Sequence, residues 1–375
     1  MRLLHTADWH LGRTLCGQPF LEEQAWTLFG PFLDIVKTTR PDAVIVAGDI
    51  YDRAVPPADA VELLGTVLER IVRGLRIPVV MIPGNHDDER RLAFAANLLR
   101  DSGLFIADSA LGEAFPFADA HGPVTILAAG YGSPAVIASL LGSGAEVADH
   151  DAGFAAMTAR VRGLIRPQSR SVLVAHAFVQ GGLTSESERG LQVGGTGAVS
   201  AAHLAGFDYV ALGHLHRRQA LDGGRIAYSG SPLAYSFSEA GEEKSVSLVE
   251  LGRDGRVSAE AITVAPRRRL RTLRGTLAEV LAAADQPGRE DWLQVTLTDR
   301  AYGAKALLNE RYPSVLDLRF DTAPIAAEAA ARGRIGDDPL GLFEAFWRTV
   351  GGDALGAEER RLAAAAIAAA AAKEA

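Results

Sequence analysis

The stretch Arg2-Leu3-Leu4-His5-Thr6-Ala7-Asp8-Trp9-His10 sets an apolar, strand-like run directly against two side chains that bind metal ions well. The same arrangement returns four times. Residues 43–47 lead into Gly48-Asp49, 79–82 into Pro83-Gly84-Asn85-His86-Asp87, 171–175 into His176, and 209–212 into Gly213-His214-Leu215-His216. Each alone is ordinary: a turn before a helix, a strand exit, a buried structural histidine. Five in succession are not explained one by one. Helical patterns at 20–38, 57–73 and 152–166 fall between the runs, and this alternation predicts an α/β fold of stacked sheet and helix layers. In such folds ligands gather beyond the carboxyl ends of the strands. Asp8, Asp49, Asn85, His176 and His214 all fall there.

The residue types fit one chemistry. Carboxylate, amide oxygen and imidazole suit Mn, Fe, Zn or Mg rather than a thiolate-seeking metal. Two divalent ions about 3.5–4 Å apart clamp a phosphate and lower the pKa of a bound water, and they need a shared carboxylate plus separate ligands for each. In an extended segment residues i and i+2 point to one side, so Asp8 with His10, and His214 with His216, are each expected to aim at one place. The glycines before Asp49, Asn85 and His214 allow a tight turn or a close approach of backbone.

The motifs Leu4-His5-Thr6-Ala7-Asp8-Trp9-His10-Leu11-Gly12, Val46-Ala47-Gly48-Asp49-Ile50-Tyr51-Asp52, Pro83-Gly84-Asn85-His86-Asp87 and Ala211-Leu212-Gly213-His214-Leu215-His216 resemble those of calcineurin-like metallophosphoesterases. With Leu191-Gln192-Val193-Gly194-Gly195-Thr196-Gly197 and Tyr228-Ser229-Gly230-Ser231-Pro232-Leu233, the chain is most similar to the SbcD family of bacterial nuclease subunits. The likeness covers residues 1–265 well and the remainder more loosely. It implies a sandwich of two β-sheets flanked by helices, a small α/β capping domain and C-terminal helices. It assigns Asp49 as the bridge, Asp8, His10 and His216 to one ion, and Asn85, His176 and His214 to the other. His86 is implied to orient the phosphate or to protonate the leaving oxygen, a task that suits a histidine. Related nucleases carry a second histidine where this chain has Asp52, so that role is not transferred.

At 375 residues the chain exceeds the size at which one core stops growing, and 48% hydrophobic residues fill cores readily. No run of about 18 apolar residues reads as a membrane span. The N-terminus enters a strand at once, with no signal-peptide pattern, so a cytoplasmic, nucleoid-associated protein is expected. The single Cys16 excludes an internal disulfide. A net charge of −8 is unusual for a DNA enzyme. The basic residues are uneven, however. Arg217 and Arg218 follow the last motif, and Arg267, Arg268 and Arg269, with Arg271 and Arg274, form a cluster expected to contact the DNA backbone.

Residues 225–229, 246–251 and 257–264 read as a closing antiparallel part, with a turn at Arg253-Asp254-Gly255. The Gly- and Ser-rich loop 181–197 closely follows His176 and is placed to wall the site. Beyond the metallophosphoesterase domain, 1–265, a second unit at 266–322 is expected to alternate helix (276–284, 301–311) with strand (292–297, 315–320). By resemblance this unit is the capping domain that seats duplex DNA. A linker, 323–336, leads to a helical segment, 337–375, opened by Asp338-Pro339. Leu340, Phe343, Phe346, Trp347 and Val350 form an apolar stripe on it. The resemblance implies that this stripe binds an SbcC-type ATPase, within a heterotetramer built on a nuclease homodimer.

The expected function is therefore metal-dependent DNA hydrolysis, with manganese the foremost ion (Mg, Fe or Zn also suit the ligands). By resemblance it comprises a 3′→5′ double-strand exonuclease and a single-strand and hairpin endonuclease in repair, recombination and replication. ATP hydrolysis is not expected here, since no G-x-x-x-x-G-K-[ST] motif occurs. A small-molecule phosphodiesterase or phosphatase of the same superfamily, and a non-catalytic assembly scaffold, are the competing readings.

Overall fold

A computed structural model describes residues 1–142, 144–188, 197–299, 301–321, 339–351 and 354–374. Two six-stranded sheets form the body of the protein. In the first, strands Arg2–Thr6, Ala43–Val46, Val79–Met81 and Leu104–Ile106 run parallel. Ser245–Leu251 pairs antiparallel with the Arg2–Thr6 strand, and Val257–Thr263 with Ser245–Leu251. In the second, Gly122–Ala128, Arg170–His176, Tyr209–Gly213 and Ile226–Tyr228 run parallel, with Glu113–Asp119 and Gln219–Leu221 antiparallel at the edges.

Both faces of the first sheet are buried, and alternation sorts its side chains. Leu4, Val44, Val46, Val79 and Met81 pack under helices Leu21–Thr39 and Ala58–Leu75. Leu3, Ile45 and Val80 face Ile126, Val172, Val174 and Ala211 of the second sheet. That second sheet is backed in turn by Phe154, Met157 and Val161 of helix His150–Arg162. Nearly continuous apolar runs are what strands buried on both faces require. His5 lies between the sheets. Its ring nitrogens meet Tyr209 Oη at 2.9 Å and the Leu212 carbonyl at 3.1 Å.

Two expectations are corrected. Ile226–Tyr228 does not join the closing antiparallel part; it runs parallel to Tyr209–Gly213 in the second sheet. The arginine cluster contains a strand, Leu270–Gly275, whose Leu270 packs at the joint with the body and whose Leu273 packs in the core of its own unit. It pairs parallel with Trp292–Leu297, which pairs with Val315–Phe320. Helices Leu277–Ala282 and Ala304–Arg311 cover this third sheet around Leu293, Val295, Leu308 and Tyr312. Thr276 and Glu279 cap the first of these helices reciprocally.

The third sheet joins the body through Leu270 and Trp292, which pack with Leu15, Phe20, Leu233 and Tyr235. Arg268, expected on DNA, is turned into this joint. It donates to Glu23 Oε1 at 2.8 Å and lies 3.8 Å from the centre of the Trp292 ring. A 2%-exposed carboxylate needs that partner, so Arg268 is a structural cation.

Helices Pro339–Gly351 and Ala357–Glu374 end the described chain and are linked by Arg360 and Glu344. Phe343 stacks obliquely on Trp347 at 6.1 Å, and Phe346 is exposed. The linker at 323–336, Asp338, residues 191–196 and the side chain of Val350 lie outside the described residues. Among those described, no helix is long and apolar enough to cross a membrane.

Candidate metal centre

The loops that leave the strands stay zipped together. Asp8 N donates to Gly48 O (3.0 Å), and His10 N to Asp49 O (2.9 Å). Asp87 then ties two loops, its carboxylate accepting from Ile50 N (3.0 Å), Tyr51 N (2.8 Å) and Gly84 N (2.9 Å). From the flanking helix, Gln24 Nε2 donates to the carbonyls of Trp9 (3.1 Å) and His10 (2.8 Å). Close approach explains the glycines. A Cβ on Gly84 would lie 2.2 Å from Asp49 Oδ1, and one on Gly213 would lie 1.9 Å from the Ala47 carbonyl.

All seven expected residues converge. Asp49 Oδ2 is central, 3.6 Å from His10 Nε2 and 3.5 Å from His176 Nε2. On one side Asp8, His10 and His216 bring ligand atoms within 4.8 Å of one another. On the other, Asn85 Oδ1 meets His176 Nε2 at 2.9 Å and His214 Nδ1 at 3.2 Å. The convergence of Asp8 with His10 does not come from extended backbone, as expected. Asp8 (φ 55°), His10 (φ 45°) and Asp49 (φ 49°) are left-handed, and His214 has φ 103°. Such positions cost about 1–3 kcal/mol each and persist where the surroundings over-determine them; here the zipped loops do so.

Electrostatics centre on Asp49. Burial opposes its charge, but His176 and its neighbours hold the carboxyl well below the usual range. Burial lowers the His176 pKa, yet the Asp49 charge wins and lifts it to about 9. Burial, then the neighbouring His176, pushes His214 down to about 3, and burial raises Asp8 to about 7. His176 Nδ1 meets the Ala47 carbonyl at 3.0 Å while Nε2 faces Asn85 Oδ1, so both nitrogens carry protons.

These residues fit a pair of divalent cations. The His176 Nε2 proton occupies the lone pair a cation would take. His10 and His216 set their Nε2 atoms 3.0 Å apart, and His10 Nδ1 is buried without a hydrogen-bond partner. Two imidazoles facing each other in this way suit a shared cation better than water.

His86 stands beside the cluster. Its Nδ1 donates to the Asp52 carbonyl at 2.8 Å, and its Nε2 lies 3.9 Å from Asp49 Oδ2. Asp52 Oδ1 is 3.7 Å from both His10 Nδ1 and Arg13 Nη1. Arg217, held by Glu242, and Arg218, which donates to Ser247 Oγ, border an open cavity of about 360 Å³ next to His216. Arg267 and Arg269 are exposed, and Arg269 lines a cavity shared with Glu239 and Lys244. The loop expected to wall the site does touch it: Ser187 Oγ meets His216 Nδ1 at 2.6 Å, and Glu188 accepts from His216 N. Sequence reasoning missed Gln24, Asp87, Ser187 and Glu239. Only Asp87 carried a signal, its place within the Gly-Asn-His-Asp motif.

The calcineurin-like phosphoesterase family matches residues 1–218. The SbcD C-terminal domain family, described as the type 5 capsule protein repressor C-terminal domain, matches residues 266–350. The first match spans every residue of the cluster and the second the three-stranded unit with the first C-terminal helix. The chain therefore belongs to the calcineurin-like phosphoesterases, a family of phosphoester hydrolases, and pairs that domain with the C-terminal domain of an SbcD-like nuclease subunit.

Proposed function

We propose that this chain is the nuclease subunit of an SbcCD-type complex and hydrolyses DNA phosphodiesters at a centre of two divalent ions. The observation that carries the reading is Asp49 Oδ2, within 3.6 Å of His10 Nε2 and of His176 Nε2, where overlapping groups of atoms able to hold a metal ion meet. Asp8, His10 and His216 would hold one ion, Asn85, His176 and His214 the other, and Asp49 both. Manganese is the ion the reading favours; when bound, such a pair activates water and neutralises charge on the phosphate.

The remaining steps fall to side chains of the chain. His86 has Nδ1 committed to the Asp52 carbonyl. The proton it can deliver to the departing oxygen, or donate to a phosphate oxygen, is therefore the one on Nε2, the nitrogen facing Asp49. Arg217 and Arg218 flank the cavity beside His216 and suit the backbone of an incoming strand. Arg267 and Arg269 extend that basic surface onto the three-stranded unit, the capping domain of this reading; Arg268 does not take part. Helix Pro339–Gly351, with Phe346 exposed, is the docking element for the ATPase partner. Exonuclease polarity, hairpin opening and a heterotetramer are part of the same proposal.

The test is manganese-dependent cleavage of duplex DNA, with and without an SbcC-type ATPase and ATP, beside a cyclic nucleotide and a phosphopeptide. DNA cleavage stimulated by the partner is the expected result. Turnover confined to the small substrates would replace the proposal with the phosphodiesterase or phosphatase reading. A protein inert on all three would leave the scaffold.

A further inference from the structure

We propose that Ser187 and Glu239 are positioning residues for His216, fixing its ring proton on Nδ1 and its Nε2 lone pair toward the metal position. The inference rests on the two-metal reading above. Ser187 has one hydroxyl proton, and Oγ lies 2.5 Å from Glu239 Oε1. Glu239 is paired with the Lys244 ammonium and has no proton to give, so the hydroxyl donates to it. The 2.6 Å contact between Ser187 Oγ and His216 Nδ1 must then run the other way, with the ring donating. Ser185 Oγ, 2.8 Å from Ser187 Oγ, is free to supply a second proton to it.

The chain of contacts is buried: Glu239 is 0% exposed, His216 1%, Ser187 6% and Lys244 7%. It is also anchored from several directions. Lys244 Nζ donates to the His216 carbonyl at 3.0 Å, and Arg13 Nη2 to the Ser187 carbonyl at 2.9 Å. Tyr235 N donates to Glu239 Oε1 at 3.3 Å. A buried Lys–Glu pair costs desolvation that Coulomb attraction barely recovers. Its use here is to hold one carboxylate where it dictates the tautomer of one histidine. The partners beyond a metal-binding histidine set its orientation and basicity, and losing them typically costs 10–100-fold in metal affinity.

Nitrogen-15 NMR of the histidine rings in metal-free protein reads the tautomer directly, and calorimetric titration with Mn²⁺ reads affinity. Wild type should carry the His216 proton on Nδ1. Ser187→Ala should mix the tautomers and weaken Mn²⁺ binding about 10–100-fold, while Ser187→Thr, which keeps the hydroxyl, should restore both. Glu239→Gln with Lys244→Met leaves no buried charge unpaired and should shift the tautomer in the same direction. An Nε2-protonated His216 in wild type, or Ser187→Ala with either readout unchanged, overturns the proposal. Wild type that fails to bind Mn²⁺ would instead overturn the two-metal reading, and the tautomer would still decide the role of Ser187 and Glu239.

Discussion

At the scale of single residues, the buried histidines do different jobs. His86 is held by Nδ1 and addresses the cluster with Nε2, without belonging to either ligand group assigned to an ion. His86→Ala should therefore keep Mn²⁺ binding in calorimetry and lose about 10²–10⁴-fold in turnover. Activity equal to wild type would remove it from the mechanism. His5 never reaches the site and serves the seam between the sheets. Burial pushes its pKa down to about 3, so folding takes it up neutral. The unfolded chain binds a proton there below about pH 6.5 and the folded chain does not. Stability from this residue is thus complete above that pH and lost as pH falls toward 3, by up to about 1.4 kcal/mol per unit. Urea melts between pH 7 and 5 should show His5→Asn with a shallower decline than wild type, by about one proton.

At the scale of elements, strand order and loop closeness decide what tolerates change. Gly213 stands beside His176 in the register of the second sheet and faces Ala47 of the first. Gly213→Ala has no flexible neighbour to displace, because the clash is with a carbonyl oxygen 1.9 Å away. A loss of at least about 1–3 kcal/mol is expected, read as a lower urea midpoint, with weaker metal binding as His176 and His214 are pushed apart. The strands that carry ligands were legible because apolar run and polar motif adjoin in the chain. Their backbone was not: i, i+2 spacing suggests extension, whereas Asp8 and His10 reach their target through left-handed turns. Leu270–Gly275 hid behind its arginines, since Leu270 and Leu273 are three positions apart and show no two-residue alternation; they pack on opposite sides of the strand, Leu270 at the joint and Leu273 in the core of its own unit. Gln24, Ser187, Glu239 and Lys244 gave no signal because their meaning lies in contacts spanning up to 211 positions, made by residue types found on any surface.

At the scale of the whole molecule, the candidate ligands are divided between the sheets. Asp8, Asp49 and Asn85 follow strands of the first, and His176, His214 and His216 strands of the second. A cation held by both binds the folded form and not the unfolded one. At about 100-fold excess over its dissociation constant that linkage stabilises by about 2.7 kcal/mol. Chelation should lower the melting temperature by several degrees and Mn²⁺ should restore it. A melt insensitive to both would mean that the site is not occupied under those conditions. The likeness to a calcineurin-like phosphoesterase and to an SbcD-type C-terminal domain was legible from the motifs, but the joint was not. Arg268, Glu23, Phe20 and Trp292 meet only after folding brings positions 245 apart together.

The pairing of Arg2 with Glu250 has a further consequence, in time rather than space. A ribosome adds about 5–20 residues per second, so the first strand waits on the order of ten to fifty seconds for its antiparallel partner. Until then the edge at Leu3 and Leu4 is open, apolar and able to pair with another chain. The nascent protein also lacks His214 and His216 for most of that interval, so the histidine cluster is incomplete until synthesis is well advanced. A chain stopped short of residue 245 keeps that edge uncovered and should aggregate more readily than the full chain, as light scattering of the truncated protein would show.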